Sequence, residues 1–167
     1  MKRTEQQEAL FIDYLESCKK LIAKVARVYC KDEEERKDLM QDITLQLWKA
    51  FPNYDDTYAV STWTYRIALN TSISHLRKVT TRSAVQASKY SEGEIMQVQA
   101  ETTDENLEHL YRAIDLLKPV DKAIVVLQLE GCSNKEIAEV MGLSASNIST
   151  RKLRIKEELK SHFETTK

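Results

Sequence analysis

The residues that interrupt regular structure are scarce in this 167-residue sequence, which has three glycines and two prolines. That scarcity argues against a sandwich of short strands, whose turns consume both residues, while abundant Glu, Lys, Leu, Ala and Ile favour helices. No run approaches the roughly 18 apolar residues of a membrane span. The N-terminus, MKRTEQQEAL, lacks the apolar core of a signal peptide. The expectation is a cytoplasmic protein without membrane insertion. Cysteine is equally thin: Cys18, Cys30 and Cys132 are odd in number, far apart and without a CxxC pair. His75, His109 and His162 are scattered without metal-ligand spacing. Disulfide, zinc and haem chemistry have no footing, and small buried or half-buried thiols are expected. No nucleophile–base pair and no Gly-rich phosphate loop stands out, so no catalytic residue, metal or cofactor is assigned and the chain is not read as an enzyme.

What is present is charge, and it is segregated. Residues 1–78 carry 13 basic and 12 acidic side chains, 79–108 carry 2 and 6, and 109–167 carry 10 and 8. The near-neutral total of −1 thus divides into +1, −4 and +2. The acidic middle piece is also rich in Ser, Thr and Gln with weak apolar periodicity, and reads as a linker. The expected fold is all-α: two small helical domains, 1–78 and 109–167, joined by the 79–108 linker, the second domain a helix-turn-helix.

In the first domain Leu10, Tyr14, Cys18, Leu21, Val25 and Tyr29 recur at helical steps and predict a helix over 6–30. The acidic run from Asp32 suits the start of a second helix carrying Leu39, Ile43 and Leu47, which should stop near Phe51-Pro52. Its outer face carries Asp38, Gln41, Asp42 and Gln46 next to Leu39 and Leu45, either a solvated face or a docking surface. Ser61 or Thr62 then caps a third helix through Trp63, Ile67 and Leu76 to Lys78. This stretch interleaves aromatics, hydroxyls and cations, as a surface that stacks unpaired bases would. Trp63 is favoured as core, with Tyr65 at its edge, while Asn70, Thr71 and Ser72 lack a packing reason at mid-helix.

The second domain is sharper. Ile114, Leu117, Ile124, Leu127 and Leu129 form an apolar face broken by Pro119, so two helices meet there. Ser133 and Glu136 have capping-box spacing and start a helix over Asn134 to Met141. Gly142 ends it in a left-handed turn, and Ser144 caps the next helix. Ala138, Gly142 and Ile148 have the spacing of a helix-turn-helix, with the unit spanning 134–153. The last helix presents Ser146, Asn147, Ser149, Thr150, Arg151, Arg154 and Lys156: hydroxyls and an amide for base edges, then cations for phosphates. A helix-turn-helix regulator whose first helices dimerise it would share these features, and would bind symmetric operators unaided.

The combined pattern resembles the bacterial RNA polymerase sigma factors of the sigma-70 family, extracytoplasmic-function group. Glu35-Arg36-Lys37-Asp38-Leu39-Met40-Gln41-Asp42-Ile43 through Leu47-Trp48 is similar to the family's first-domain helix. Ser61-Thr62-Trp63-Thr64-Tyr65-Arg66-Ile67-Ala68-Leu69-Asn70, then Ile73 to Lys78, follows its next motif, and Gly131 through Ile148 its helix-turn-helix pattern. Ser74 stands where the family often has Asp, and Lys152 where it usually has Leu, with Leu153 alongside. The resemblance implies that the chain binds core RNA polymerase, directs it to promoters and helps melt the −10 element. It implies polymerase contacts from Asp38, Leu39, Gln41, Asp42, Leu45 and Gln46. Contacts to −10 DNA would come from Arg66, Asn70, Thr71, Ser74, Arg77 and Lys78, and −35 contacts from the helix of Ser146. Its partners would be bacterial core RNA polymerase and promoter DNA. A dedicated anti-sigma protein is common in the group, and no residue here identifies one.

Overall fold

A computed structural model describes residues 5–87 and 105–165. Among these residues there is no strand. The first half is a bundle of α1 (Glu5–Tyr29), α2 (Glu33–Ala50) and α3 (Val60–Ala87), with a short 3-10 turn at Phe51–Asn53. The second half holds α4 (Glu105–Asp115), α5 (Pro119–Leu129), α6 (Asn134–Met141) and α7 (Ala145–Thr165).

Helix α1 buries Phe11, Cys18, Ile22, Val25 and Tyr29. Leu10, expected on that stripe, is instead 56% exposed, because Phe11 takes the inward place one residue later. Asp32 caps α2, its carboxylate accepting from the Glu35 backbone N–H at 2.9 Å. Leu39, Ile43 and Leu47 face fully inward. Aromatic rings close one end of the bundle: Phe11 packs on Trp48 at 4.8 Å and on Phe51 at 5.2 Å, and Trp63 lies against Tyr14 and Tyr54.

Helix α3 differs from expectation at both ends. It begins at Val60, so Ser61 and Thr62 lie in its first turn rather than capping it, and it continues past Lys78 to Ala87. With α4 starting at Glu105, the expected linker is flanked by longer helices, and its central residues 88–104 lie outside the described residues. Tyr65 is buried rather than at the edge. Ser72 does have a packing reason: it is fully buried, its hydroxyl donating to the Ala68 carbonyl at 2.7 Å. A small residue there lets a neighbouring element approach while its polar atom stays satisfied.

In the second half Pro119 opens α5, where its missing N–H has no helical partner to lose. Ile114, Leu117, Ile124 and Leu127 are core, whereas Leu129, expected with them, is 61% exposed at the end of α5. Both arms of the Ser133–Glu136 capping box form, and Gly142 takes φ 67°. Ser144 caps α7 by accepting from the Asn147 N–H at 3.2 Å. Ile148 is completely buried against the preceding helices, as a helix-turn-helix requires.

The halves share one continuous core. Tyr29 donates from its hydroxyl to the Pro119 carbonyl at 2.8 Å, and the Arg27 guanidinium lies 4.5 Å over the Tyr111 ring. Lys24 pairs with Glu130 at 2.9 Å and Lys31 with Asp115 at 3.1 Å. Helix α3 also meets α6, where Arg66 donates to the Glu139 carbonyl.

Candidate nucleic-acid interface

Three surfaces collect the candidate residues. The first is a groove of about 530 Å³ between α2 and α3, lined by Asp42, Gln46, Ala50, Ile67, Asn70, Thr71, Ser74, His75 and Lys78. Asn70 and Ser74 are exposed one turn apart, and the Thr71 hydroxyl donates back to the Ile67 carbonyl at 2.7 Å. Asp42 approaches His75 Nδ1 at 3.9 Å, while His75 Nε2 is buried and makes no hydrogen bond. Polar groups and one lysine on a half-open concavity suit a base with its phosphate. Four of the six residues expected to face −10 DNA meet here, and two stand apart. Arg66 is turned toward the second half, stacked over Tyr58 at 5.2 Å and bonded to Glu139. Arg77 is exposed off the groove.

The second surface is a groove of about 590 Å³ between α1 and α2, lined by Glu8, Phe11, Ile12, Met40, Gln41, Thr44, Leu45 and Trp48. Ile12 is 59% and Leu45 47% exposed. The six residues expected to face polymerase are thereby divided. Gln41 and Leu45 line this groove, Asp42 and Gln46 line the α3 groove, and Asp38 is exposed on α2. Leu39 is 0% exposed and is core, so no partner reaches it. Sequence reasoning missed Ile12, Met40 and Trp48. The available signal was that Ile12 and Leu45 are apolar residues out of register with the buried stripes of their own helices.

The third surface is α7. Ile148 and Ile155 point inward, so Ser146, Thr150, Leu153 and Glu157 form the opposite face. Asn147, Ser149, Arg154 and Lys156 are exposed on its flanks. Arg151 is drawn inward: its Nη1 bonds Asp121 at 2.9 Å and its Nε bonds Asn147 Oδ1 at 2.9 Å. Asp121 is 1% exposed, and Arg154 reaches its other oxygen at 3.7 Å. Two arginines on a buried carboxylate fix the rotation of α7 over α5. Lys152 is likewise held, donating to Asn134 Oδ1 while Asn134 donates to Ser149 Oγ at 3.0 Å. The basic residues of α7 therefore split into anchors, Arg151 and Lys152, and outward groups, Arg154 and Lys156.

Burial pushes the Tyr14, Tyr29 and Tyr65 phenols and the Cys18 and Cys132 thiols upward, and Cys30 up to about 11. Among the described residues no group of His, Cys, Asp and Glu could hold a metal, and no helix is long and apolar enough to cross a membrane.

Comparison with known proteins follows the same division. Residues 14–82 match the Sigma-70 region 2 family and residues 107–159 the Sigma-70 region 4 family. The chain is 22% identical over 142 residues to the ECF RNA polymerase sigma factor SigX of Bacillus subtilis, covering 80% of this chain and 73% of that protein. It is 27% identical over 132 residues to the ECF RNA polymerase sigma-E factor of Escherichia coli K12, covering 72% and 69%. Among solved structures, the sigma factor RpoE in complex with the anti-sigma factor NepR from Bartonella quintana superposes with a TM-score of 0.73 at 18% identity, covering 94% of this chain and 98% of that one. CnrH in complex with the cytosolic domain of CnrY gives a TM-score of 0.66 at 18% identity, covering 96% and 91%.

Proposed function

The chain belongs to the sigma-70 family of RNA polymerase sigma factors, in its extracytoplasmic-function group, and from that premise we propose that it docks on bacterial core RNA polymerase in the cytoplasm, reads a −35 element with α7, and captures bases of the melted −10 element in the α2–α3 groove. The observation that carries this reading is the pairing, in one chain and in family order, of a polar groove on α3 with a capped helix-turn-helix whose second helix turns hydroxyls and cations outward.

Each surface suits its role by its chemistry. Ile12 and Leu45 expose apolar area beside Glu8 and Gln41, which fits a partner with apolar knobs and basic surroundings; core polymerase is that partner. Asn70 and Ser74 bring hydrogen-bonding groups to the groove where a flipped base would sit, and Lys78 brings a charge for its phosphate. On α7, Ser146, Asn147, Ser149 and Thr150 face base edges, Arg154 and Lys156 face phosphates, and Arg151 acts as a positioning residue through Asp121.

Energetics make the role a dependent one. DNA stacking is worth about 1.4 kcal/mol per step, so opening roughly ten steps costs on the order of 14 kcal/mol. A protein of net charge −1 with few phosphate contacts does not supply that alone. Arg66 is moreover engaged with Glu139 while the halves are packed together. Reading −10 and −35 elements at once requires the halves to part, and docking on polymerase drives that parting. An anti-sigma protein that binds the packed form would oppose it.

The test is run-off transcription with bacterial core RNA polymerase, this protein and a library of promoter fragments. Sequence-dependent initiation above the core enzyme is expected. Initiation no different from core enzyme alone overturns the reading.

A further inference from the structure

Among the large apolar side chains described, Leu153 is the most exposed, at 66%. It sits on α7 diametrically opposite the buried Ile148 and Ile155, one turn after Thr150 and one turn before Glu157. None of the described residues covers it. Its neighbours also have few free donors: the Thr150 hydroxyl donates to the Ser146 carbonyl at 3.0 Å and the Ser149 hydroxyl to the Ala145 carbonyl at 3.1 Å. With those protons committed, the centre of the outward face is apolar and hydrogen-bond accepting. Arg154, half exposed and steadied by Asp121, borders it on one side.

A recognition helix meets base edges in the major groove, and the one apolar group displayed there is the 5-methyl of thymine. An uncovered leucine at the middle of the reading face has that methyl as its natural complement. We propose that Leu153 is a specificity-determining residue, its side chain packing on the 5-methyl group of a thymine in the −35 element. The inference rests on α7 being the −35 reader. It assigns to a leucine what the polar residues around it do not provide, discrimination of thymine from every other base.

The test uses the reconstituted holoenzyme. A promoter library randomised at the −35 element is first selected by transcription, and the selected element is expected to contain thymine. Deoxyuridine, which lacks only the methyl, then replaces each thymine in turn. Loss of one buried methyl predicts that initiation falls about fourfold at one position. The Leu153→Ala holoenzyme should initiate equally on thymine and deoxyuridine templates there; being exposed, the residue can be truncated without unfolding the helix. A selected element free of thymine, or a Leu153→Ala enzyme that keeps the deoxyuridine penalty, overturns the proposal. So does a Leu153→Ala protein that loses affinity for core polymerase without DNA, since the leucine would then face the enzyme. Arg154→Ala separates the two levels. If it alters the selected element while Leu153→Ala alters nothing, the leucine assignment alone fails. If neither alters it, α7 is not the reader.

Discussion

Helix α7 turns a convex face outward whose rotation is set by Asp121, Gly142 and Ser144, whereas α3 contributes one wall of a groove whose other wall is α2. The first arrangement is specified by short-range signals and one buried ion pair. The second exists only once two long helices have packed. The anchoring also runs in opposite directions. On α7 the anchors, Arg151 and Lys152, hold the helix to its own half, and Arg154 stays exposed with only a longer contact to Asp121 at 3.7 Å. On α3 a candidate reading residue, Arg66, is itself one of the ties that reach across to the other half. One proposed DNA surface is therefore ready as folded, and the other is available in full only after the halves separate.

That contrast can be broken most forcefully at Asp121. Arg151→Ala leaves a buried carboxylate with only the longer contact to Arg154, and should cost about 3 kcal/mol of stability in chemical denaturation. Arg154→Ala should change stability little and lower −35-dependent initiation. Equal stability losses would erase the distinction between anchor and reader. Next, Ser72→Leu overfills a completely buried site on α3 and should cost about 2 kcal/mol by the same measurement. At Gly142 an added Cβ meets nothing within 4 Å, so Gly142→Ala isolates the left-handed backbone cost, about 1 kcal/mol.

The smallest effect sharpens the comparison with pH. The Glu136 carboxyl is held below its ordinary range by the backbone and side chain of Ser133, so its contribution is present above its unfolded value and lost as pH falls through the folded one. Wild type and Glu136→Ala should converge in thermal stability in acid. The buried phenols of Tyr14, Tyr29 and Tyr65 shift upward instead, so their contribution is full below the ordinary tyrosine value and lost as pH rises above it. Trp48 and Trp63 lie in the first half with these three tyrosines, so tryptophan fluorescence should report the alkaline loss.

The same contrast explains what could be read from sequence. Helix α6 has the expected bounds, Asn134–Met141, because a capping box and a left-handed glycine are local and leave direct marks on the chain. The start of α2 was legible for the same reason at Asp32. Helix α3 offered only Ser61 or Thr62 as a cap, and its start at Val60, its extent to Ala87 and the burial of Tyr65 and Ser72 follow from tertiary packing, with Tyr65 close to Glu130 and Cys132 of the second half. Leu39 stands in register with Ile43 and Leu47, a pattern that marks core, and that register outweighs its neighbourhood with Asp38 and Gln41, which had set it beside the candidate docking face. Arg66 reaches a backbone carbonyl 73 residues away, a contact that no spacing rule within one helix would reveal.

The shared core has a consequence for how the chain is held together. Tyr29, Cys30, Leu117 and Ile124 belong to one apolar cluster contributed by both halves. Closure of one half on the other is thus an intramolecular association, favoured by the high effective concentration that a tether confers. Breaking the chain between the halves would turn the protein into a split pair, two fragments whose reassembly in trans depends on their concentrations. Co-expressed fragments would then make promoter choice a function of dose.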